Sequence, residues 1–254
     1  MGMAEIRILG TAASVPDAEH DTVGLLLCAA GRAVPIDCGG SPLHRLARAG
    51  IEPDELHALF LTHGHADHIY GLPMLAQGLW LAGRQAPLPI FGTGQTLEQA
   101  RKLLGLFDLL RDGERFKVRW QPLDSSEGQF VLEVGGVRIT ASPGVHGSQD
   151  AMAVRFDHAA TGGSIVYSSD TEPCPAVARL AMGADLLIHE ATSAEKGHSS
   201  PAQAAEIARQ AGVGRLVLIH YPVSGTDLED WRRQAAAAFP GPVALAQDGD
   251  VYSL

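Results

Sequence analysis

The part of the sequence that decides the fold is one short histidine-rich stretch, which reads Thr62-His63-Gly64-His65-Ala66-Asp67-His68. It follows the apolar run Leu56–Leu61, which predicts a buried strand, and it precedes a predicted helix. Side chains two apart in extended chain point the same way, so His63 and His65 can offer two imidazoles to one metal ion. Asp67 and His68 lie just past the strand end, where the chain turns and can face a second ion. The spacing therefore predicts a site for two metal ions.

A two-metal site needs further ligands, and three candidates come later in the chain, each at the end of a predicted strand: His146, Asp170 and His220. Taken alone, each of them would more often be a structural residue than a ligand. Strand ends at one edge of a sheet are common places for functional sites. Together with the first stretch, the three residues therefore form an ordered set of candidate ligands.

The composition is that of a folded, core-forming chain. Of the 254 residues, 46% are hydrophobic and 19% are charged, and 19 Lys and Arg stand against 29 Asp and Glu, for a net charge of −10. This charge argues against nucleic acid as the main partner, because phosphate binding depends on a surplus of Lys and Arg. A small anionic substrate held by a metal is still compatible with it. No apolar run is long enough to span a membrane, so we expect no membrane partner.

Cysteine usage and the start of the chain bear on the compartment. The cysteines Cys28, Cys38 and Cys174 are few and widely spaced, which favours neither a disulfide framework nor a cysteine metal site. Residues 1–10 lack a basic start followed by an apolar stretch, so no signal peptide is predicted. We therefore expect a cytoplasmic protein. No linker or repeat interrupts residues 1–254, which we expect to form a single domain.

Strands dominate the first part of the chain, and strands and helices then alternate in both halves. The clearest helix is Pro201–Ala211, because Ser200 and Gln203 form a capping-box pattern before it and Gly212 stops it. Two sheets packed face to face with helices outside would bury the apolar runs, so we predict an α/β sandwich. Four histidines without motif context are predicted to lie on the surface: His20, His44, His57 and His158.

The order of the candidate ligands resembles the signature of the metallo-β-lactamase fold superfamily, HxHxDH followed by His, Asp and His. The similarity runs from Leu9 to His220. The resemblance implies a four-layer αββα sandwich of two mixed β-sheets flanked by helices. It implies one ion bound by His63, His65 and His146 and another bound by Asp67, His68 and His220. It also implies that Asp170 is the carboxylate that bridges both ions.

Four further motifs are similar to those of ribonuclease Z-like proteins, and they read His189-Glu190-Ala191-Thr192, Gly197-His198-Ser199-Ser200, Leu9-Gly10-Thr11 and Asp37-Cys38-Gly39. The first two correspond to the HEAT and HST motifs of that subgroup. The histidine of HST assists catalysis there, a role that carries over to His198. Glu190 is our candidate partner carboxylate for His198. Asp37 is either a residue that orients a ligand imidazole or a plain turn aspartate.

Two features differ from the members that process transfer RNA. Those members carry a long arm that clamps the RNA, inserted between the third and fourth metal-binding motifs, whereas here only 23 residues separate His146 from Asp170. The opening motif also reads Thr11-Ala12-Ala13-Ser14, where glycine is usual. With a charge of −10 and no arm, we expect a small or cyclic phosphodiester as the substrate. A ribonuclease Z-type endonuclease is a further alternative.

The ligand set consists of nitrogen and oxygen atoms, which suits Zn²⁺, Mn²⁺ or iron. We expect two divalent ions, with zinc preferred. Ions about 3.5–4 Å apart can share one water and lower its pKa toward 7, so a bridging hydroxide would attack phosphorus. His198 is the candidate donor of a proton to the leaving oxygen. The expected catalytic residues are therefore Asp67, which is also a ligand, with His198 and Glu190.

Other functions are compatible with the same ligands. A lactone or thioester hydrolase could use the same scaffold, and the metal ligands alone do not separate it from a phosphodiesterase. The motifs around Glu190 and His198 favour the phosphodiesterase. A non-catalytic binding protein of the same fold is a third hypothesis, and the complete ligand set argues against it. A homodimer is expected only by analogy with the family.

Overall fold

The structure is a computed structural model that describes residues 4–110 and 116–254. The strands, in chain order, are β1 (Glu5–Gly10), β2 (Gly24–Ala29), β3 (Arg32–Ile36), β4 (Leu59–Phe60), β5 (Leu88–Thr93), β6 (Val118–Leu123), β7 (Gln129–Val134), β8 (Val137–Pro143), β9 (Met152–His158), β10 (Ser164–Tyr167), β11 (Leu186–Glu190), β12 (Leu216–Ile219), β13 (Val243–Leu245) and β14 (Val251–Ser253). The helices are α1 (Pro42–Arg48), α2 (Ala66–Ile69), α3 (Leu72–Leu81), α4 (Gly94–Leu106), α5 (Pro175–Leu180), α6 (Pro201–Ala211) and α7 (Leu228–Ala238). A 3-10 turn covers Pro53–Glu55.

These strands form two mixed sheets of seven strands each. The first has the order β14-β1-β2-β3-β4-β5-β6, and the second has the order β13-β12-β11-β10-β9-β8-β7. Neighbouring strands are antiparallel from β14 to β3 and parallel from β3 to β6. The second sheet is parallel from β13 to β10 and antiparallel from β10 to β7. Both sheets are therefore antiparallel over one half and parallel over the other.

Glycine sets the tight turn between β7 and β8. Gly135 and Gly136 both have positive φ, at 57° and 80°, which most side chains disfavour. A Cβ on Gly135 would lie 2.7 Å from Cβ of Ala29, so the turn also packs closely against the first sheet. The hairpin predicted at Gly135-Gly136 is therefore present, and it fixes the register of Val134 opposite Val137.

The apolar core lies in three layers. Inward-facing side chains such as Phe156 and Ile188 fill the space between the two sheets and are fully buried. The residue before Ile188, Leu187, faces the other way and packs under α5, α6 and α7. On the outer face of the first sheet, Leu59 packs under α1, α3 and α4. The predicted four-layer αββα sandwich is confirmed.

Three local predictions differ from the structure. The strand predicted at Leu56–Leu61 is only Leu59–Phe60, because Leu56 makes an isolated bridge to Ala33 and does not continue the ladder. The turn expected at Asp67 and His68 is the short helix α2. His158, predicted on the surface, is 7% exposed, and its Nδ1 lies 3.0 Å from Oγ1 of Thr161.

Within residues 4–110 and 116–254, no helix has the length and apolar character needed to cross a membrane. Residues 1–3 of the segment considered for a signal peptide lie outside the described part of the chain.

Candidate metal centre

Seven side chains predicted as ligands converge at one edge of the sandwich. Most follow the carboxyl ends of strands, and two lie on α2; they are His63 and His65 after β4, Asp67 and His68 on α2, His146 after β8, Asp170 after β10 and His220 after β12. They fall into groups whose ligand atoms lie within 4.8 Å of one another. The structure thus brings together residues from both sheets that are up to 157 positions apart in sequence.

The first group consists of His63, His65, His146 and Asp170. Nδ1 of His65 lies 2.9 Å from Nε2 of His146 and 3.2 Å from Nε2 of His63, so the three imidazoles meet at one point. His63 is buried, whereas His65 is exposed at the cavity. Burial lowers the pKa of both His63 and His65, which favours the neutral imidazole that binds a cation.

The second group consists of Asp67, His68 and His220. Oδ2 of Asp67 lies 3.4 Å from Nε2 of His220 and 3.8 Å from Nε2 of His68. The Ser14 hydroxyl donates to Oδ2 of Asp67 at 2.7 Å and fixes this carboxylate from the other side. Burial acts to raise the pKa of Asp67, but the hydrogen bond and charge of His220 outweigh it and lower the pKa overall.

Asp170 lies between the two groups. Its Oδ2 is 3.5 Å from Nε2 of His68 and of His220, 3.7 Å from Nε2 of His63 and 3.8 Å from Nε2 of His146. The side chain is buried, and its Oδ1 has no hydrogen-bond partner. Burial acts to raise the pKa of Asp170, but the imidazoles of His220 and His68 hold it well below its usual range. Asp170 is therefore an ionised carboxylate with free acceptor capacity at the centre of the cluster.

The other nitrogen of three histidines is already engaged. Nδ1 of His68 lies 2.8 Å from Oδ2 of Asp37, and Nδ1 of His146 lies 2.5 Å from the carbonyl oxygen of Gly197. Nδ1 of His220 lies 2.8 Å from the hydroxyl of Thr192, which itself donates to the carbonyl oxygen of His220 at 2.7 Å. Because each of these partners accepts, each Nδ1 carries the proton and each Nε2 offers its lone pair.

This arrangement fits divalent metal ions. In the neutral tautomers, the Nε2 lone pairs of His68, His146 and His220 face Oδ2 of Asp170, so acceptors face an acceptor and a positive charge is needed between them. Nε2 of His68 is buried without a hydrogen-bond partner. Burial acts to lower the pKa of His68, but the nearby carboxylates of Asp170 and Asp37 outweigh it and raise the pKa well above its ordinary value. Imidazole and carboxylate donors suit zinc, manganese or iron.

His198 and Glu190 lie directly beside the cluster. Nδ1 of His198 is 3.1 Å from Oε1 of Glu190, and its ring lies 4.8 Å from that of His146. Burial acts to lower the pKa of His198, but the hydrogen bond and charge of Glu190 outweigh it, so the pKa is raised. Glu190 is fully buried and also accepts from the backbone N–H groups of Thr171, Ser199 and Thr192. The pair is thus held rigidly at the edge of the site.

His198 could also act as a metal ligand. Its ring nitrogen lies within 4.8 Å of ligand atoms of Asp170 and His220, so these three residues also form a group that could hold an ion. The structure places His198 close enough to serve either as a ligand or as a proton donor.

Backbone strain is concentrated at this site. Among the described residues, five that are not glycine have positive φ, and three of them are Asp37 (68°), Ser169 (54°) and His220 (51°). They directly follow β3, precede Asp170 and follow β12. A non-glycine residue in this region costs on the order of 1–3 kcal/mol, and such strain is often retained at functional sites. Here the sharp turns lie directly beside the side chains that form the cluster.

A cavity of about 510 Å³ opens onto the cluster. Its lining includes the cluster residues His65, Asp67, Asp170, His198 and His220, and it also includes the apolar residues Ala13, Val15, Pro222 and Val223. No lysine or arginine lines this cavity in the part of the chain that the structure describes.

Sequence reasoning missed several residues that shape the site. Ser14 contacts Asp67 and Thr192 contacts His220, and although both lie within sequence motifs, the motifs assign neither of them a role in the site. Glu172 and Gly197 support His146 through the backbone, and no sequence pattern reveals such contacts. Asp37 contacts Nδ1 of His68, as expected if it orients this imidazole.

An αββα sandwich with a histidine and aspartate cluster at its edge defines a class of proteins, the metal-dependent hydrolases of the metallo-β-lactamase fold. The chain belongs to the β-lactamase superfamily, since the profile of the family described as "Beta-lactamase superfamily domain" matches residues 32–221.

Three individual proteins show which members of this superfamily the chain is similar to. The chain is 35% identical to a protein named Ribonuclease Z from Mycobacterium sp. (strain KMS), over 274 aligned positions that cover 97% of this chain and 94% of the relative. YhfI from Bacillus subtilis, a metallo-β-lactamase fold protein, superposes with a TM-score of 0.81 at 26% identity and full coverage of both chains. The short form of human tRNase Z superposes with a TM-score of 0.76 at 24% identity over 98% of each chain, which supports the fold. The expected resemblance to ribonuclease Z-like proteins is confirmed.

Proposed function

We propose that this protein is a binuclear metal-dependent phosphodiesterase. The observation that carries the proposal is the arrangement around Asp170, where imidazole Nε2 atoms from four histidines face one buried carboxylate oxygen. The two ion sites would share this carboxylate, with His63, His65 and His146 on one side and Asp67, His68 and His220 on the other. Two divalent ions bound there would lower the pKa of a shared water and offset charge on the phosphoryl oxygens. Zinc is the preferred metal, with manganese or iron as alternatives.

The residues of the chain would divide the remaining work. Asp67, whose Oδ2 accepts the Ser14 hydroxyl, would bind the ion on its side together with His68 and His220. Asp170 would hold the two groups of imidazoles at a fixed separation. His198 lines the cavity, and its Nδ1 is bound to Glu190, so its Nε2 is free to donate a proton to the leaving oxygen. Glu190 holds that ring in one orientation and favours its protonated form.

RNA is one candidate substrate, and the names of the relatives favour it. The chain matches proteins named Ribonuclease Z over 97% of its own length. This stands against the expectation, drawn from the charge of −10, that nucleic acid is not the partner. A ribonuclease would need to bind phosphates on either side of the cleaved bond.

A small or cyclic phosphodiester is the second candidate, and two observations favour it. The described cavity lining contains no lysine or arginine to hold flanking phosphates. The alignment with the mycobacterial relative is 274 positions long, longer than this 254-residue chain, so the relative has stretches without a counterpart here. A substrate with a single phosphodiester and an apolar substituent would fit the proposed metal cluster and the apolar residues of the cavity lining.

A substrate panel tests the proposal. Protein loaded with zinc, manganese or iron is offered bis-p-nitrophenyl phosphate, cyclic nucleotides, a transfer RNA precursor, a lactone and a thioester. We expect hydrolysis of the phosphodiesters and loss of that activity in Asp170→Asn. Cleavage of the RNA precursor at a defined site identifies a ribonuclease, whereas cleavage of small esters alone identifies the second candidate. Hydrolysis of only the lactone or thioester would overturn the phosphodiesterase proposal.

A further inference from the structure

Glu172 lies one step behind the proposed ligands and takes part in none of the motifs. It follows Asp170 by two positions, and its carboxylate Oε1 accepts the backbone N–H of Gly197 at 2.9 Å. The carbonyl oxygen of the same Gly197 accepts Nδ1–H of His146 at 2.5 Å. One carboxylate therefore supports the backbone that fixes the tautomer of His146.

Gly197 is suited to this contact and also makes it fragile. Its φ of 96° lies in a region that side chains disfavour, and a Cβ there would lie 3.2 Å from Nδ1 of His146. Only glycine therefore lets the carbonyl approach the ring this closely. Glycine is also the residue with the most conformational freedom to lose, so such a position needs a tether. The N–H bond to Glu172 supplies one.

The tether is anchored beside the histidine it serves. The backbone N–H of Glu172 donates to the carbonyl oxygen of Val145, the residue before His146, at 2.8 Å. The hydroxyl of Thr171 accepts the N–H of Val145 at 2.9 Å and donates to the carbonyl oxygen of Glu172 at 2.8 Å. The segments carrying Asp170, His146 and Gly197 are thus closed into one ring of hydrogen bonds.

The same loop carries His198, whose N–H donates to the carbonyl oxygen of Glu195 at 3.1 Å. A shift of Gly197 would consequently move both the orienting partner of His146 and the proposed proton donor.

We propose that Glu172 is a positioning residue that holds Gly197, and through it fixes the Nδ1–H tautomer of His146 and the place of His198. The inference rests on the proposed metal site, because it assigns His146 Nε2 to an ion. It does not depend on which phosphodiester is the substrate.

The test compares Glu172→Ala with Glu172→Gln, which keeps an oxygen able to accept the Gly197 N–H. Glu127→Ala removes an exposed carboxylate that pairs with Arg179, and it serves as the matched control. Zn²⁺ affinity is measured by competition with a chromophoric chelator. We expect Glu172→Ala to weaken binding of one ion about 10-fold, at the lower end of what outer partners of metal ligands contribute, while the glutamine variant and the control stay near wild type.

A second readout needs no metal. Nitrogen-15 NMR of the histidine rings in the metal-free full chain reports the tautomer of His146. We expect the Nδ1–H form in wild type and Glu172→Gln, and a mixture of tautomers in Glu172→Ala. An unchanged tautomer in Glu172→Ala, or equal loss in both variants, would overturn the role of Glu172. Failure of the wild type to bind Zn²⁺, with the tautomer behaving as stated, would overturn the metal site and leave the tether standing.

Discussion

In three of the clustered histidines, the hydrogen-bond partner of Nδ1 determines that Nε2 is the nitrogen with the free lone pair. Asp37, Gly197 and Thr192 engage the Nδ1 atoms of His68, His146 and His220, which turns the three Nε2 lone pairs toward Asp170. The ligand geometry is therefore set as much by these partners as by the ligands. Substitutions of the partners should change metal binding without removing a ligand.

Asp37 gives the sharpest such substitution. Its Oδ1 accepts the N–H of Thr62, and its Oδ2 accepts both the Thr62 hydroxyl and Nδ1–H of His68. In Asp37→Asn, an amide N–H would face Nδ1 of His68 and favour the tautomer with the proton on Nε2. We expect a 10- to 100-fold loss of Zn²⁺ affinity, measured by chelator competition. Thr62→Ser keeps the hydroxyl and serves as control; wild-type affinity in Asp37→Asn would contradict this account.

His198→Ala separates the two roles open to this residue. As a proton donor it should contribute about 10²- to 10⁴-fold to turnover, so kcat on bis-p-nitrophenyl phosphate should fall by that order while elemental analysis finds the metal content unchanged. Loss of metal in the variant would instead identify His198 as a ligand.

The contact between His198 and Glu190 also predicts how turnover depends on pH. Burial acts to lower the pKa of His198, but the hydrogen bond and charge of Glu190 outweigh this effect and raise the pKa above its ordinary value. The protonated donor is present below that raised pKa and is lost as pH rises through it. We therefore expect kcat of the wild type to fall on the alkaline side with a limb that His198→Ala lacks. An identical alkaline limb in both proteins would exclude His198 as its source.

Helix α6 is an element whose first and last residues can be predicted from the local sequence alone. Its bounds, Pro201–Ala211, are those that the sequence predicts, because start and stop are written in neighbouring residues. The Ser200 hydroxyl accepts the Gln203 N–H, the Gln203 side chain accepts the Ser200 N–H, and Gly212 closes the helix with φ of 62°. Strand β4 shows the opposite case, because the apolar run Leu56–Leu61 cannot reveal that the strand is only Leu59–Phe60.

Gly212→Ala tests the helix stop. No atom lies within 4 Å of where the new Cβ would be, so the cost is that of the backbone conformation alone. We expect the free energy of unfolding to fall by about 1 kcal/mol, measured by urea denaturation. Gly212→Asn should lose less, because asparagine tolerates positive φ better. An alanine variant as stable as the wild type would show that the helix end adjusts without cost.

For the whole molecule, the site lies where the two sheets meet. His63 and His65 follow a strand of the first sheet, whereas His146, Asp170 and His220 follow strands of the second. Ions bound there would join the two halves of the sandwich. Metal binding would therefore also raise the free energy of unfolding, since ions that bind only the folded state stabilise it.

Metal removal measures that contribution. At free Zn²⁺ 100 times above Kd, binding adds about 2.7 kcal/mol, and a domain of this size gains about 2–4 °C in Tm per kcal/mol. Dialysis against a chelator should therefore lower Tm by several degrees, and added Zn²⁺ should restore it. In Asp170→Asn, chelation should change Tm far less. Equal melting of wild-type protein with and without metal would argue against ions that bridge the sheets.

The sequence predicts the layers and the ligand set because both depend on residue type and order. The apolar runs that become buried strands are visible in the chain, and so is the spacing from His63 to His68. Ser14 and Glu172 were missed, because their roles arise from contacts between segments that only the folded chain brings together. The positive φ of Ser169 is likewise set by the fold and not by its residue type.

The most direct test of the central claim is a crystal structure of Zn²⁺-loaded protein with anomalous data collected at the zinc edge. We expect two anomalous peaks on either side of Asp170, one ligated by His63, His65 and His146 and the other by Asp67, His68 and His220. No peak at this cluster in Zn²⁺-loaded crystals would contradict it.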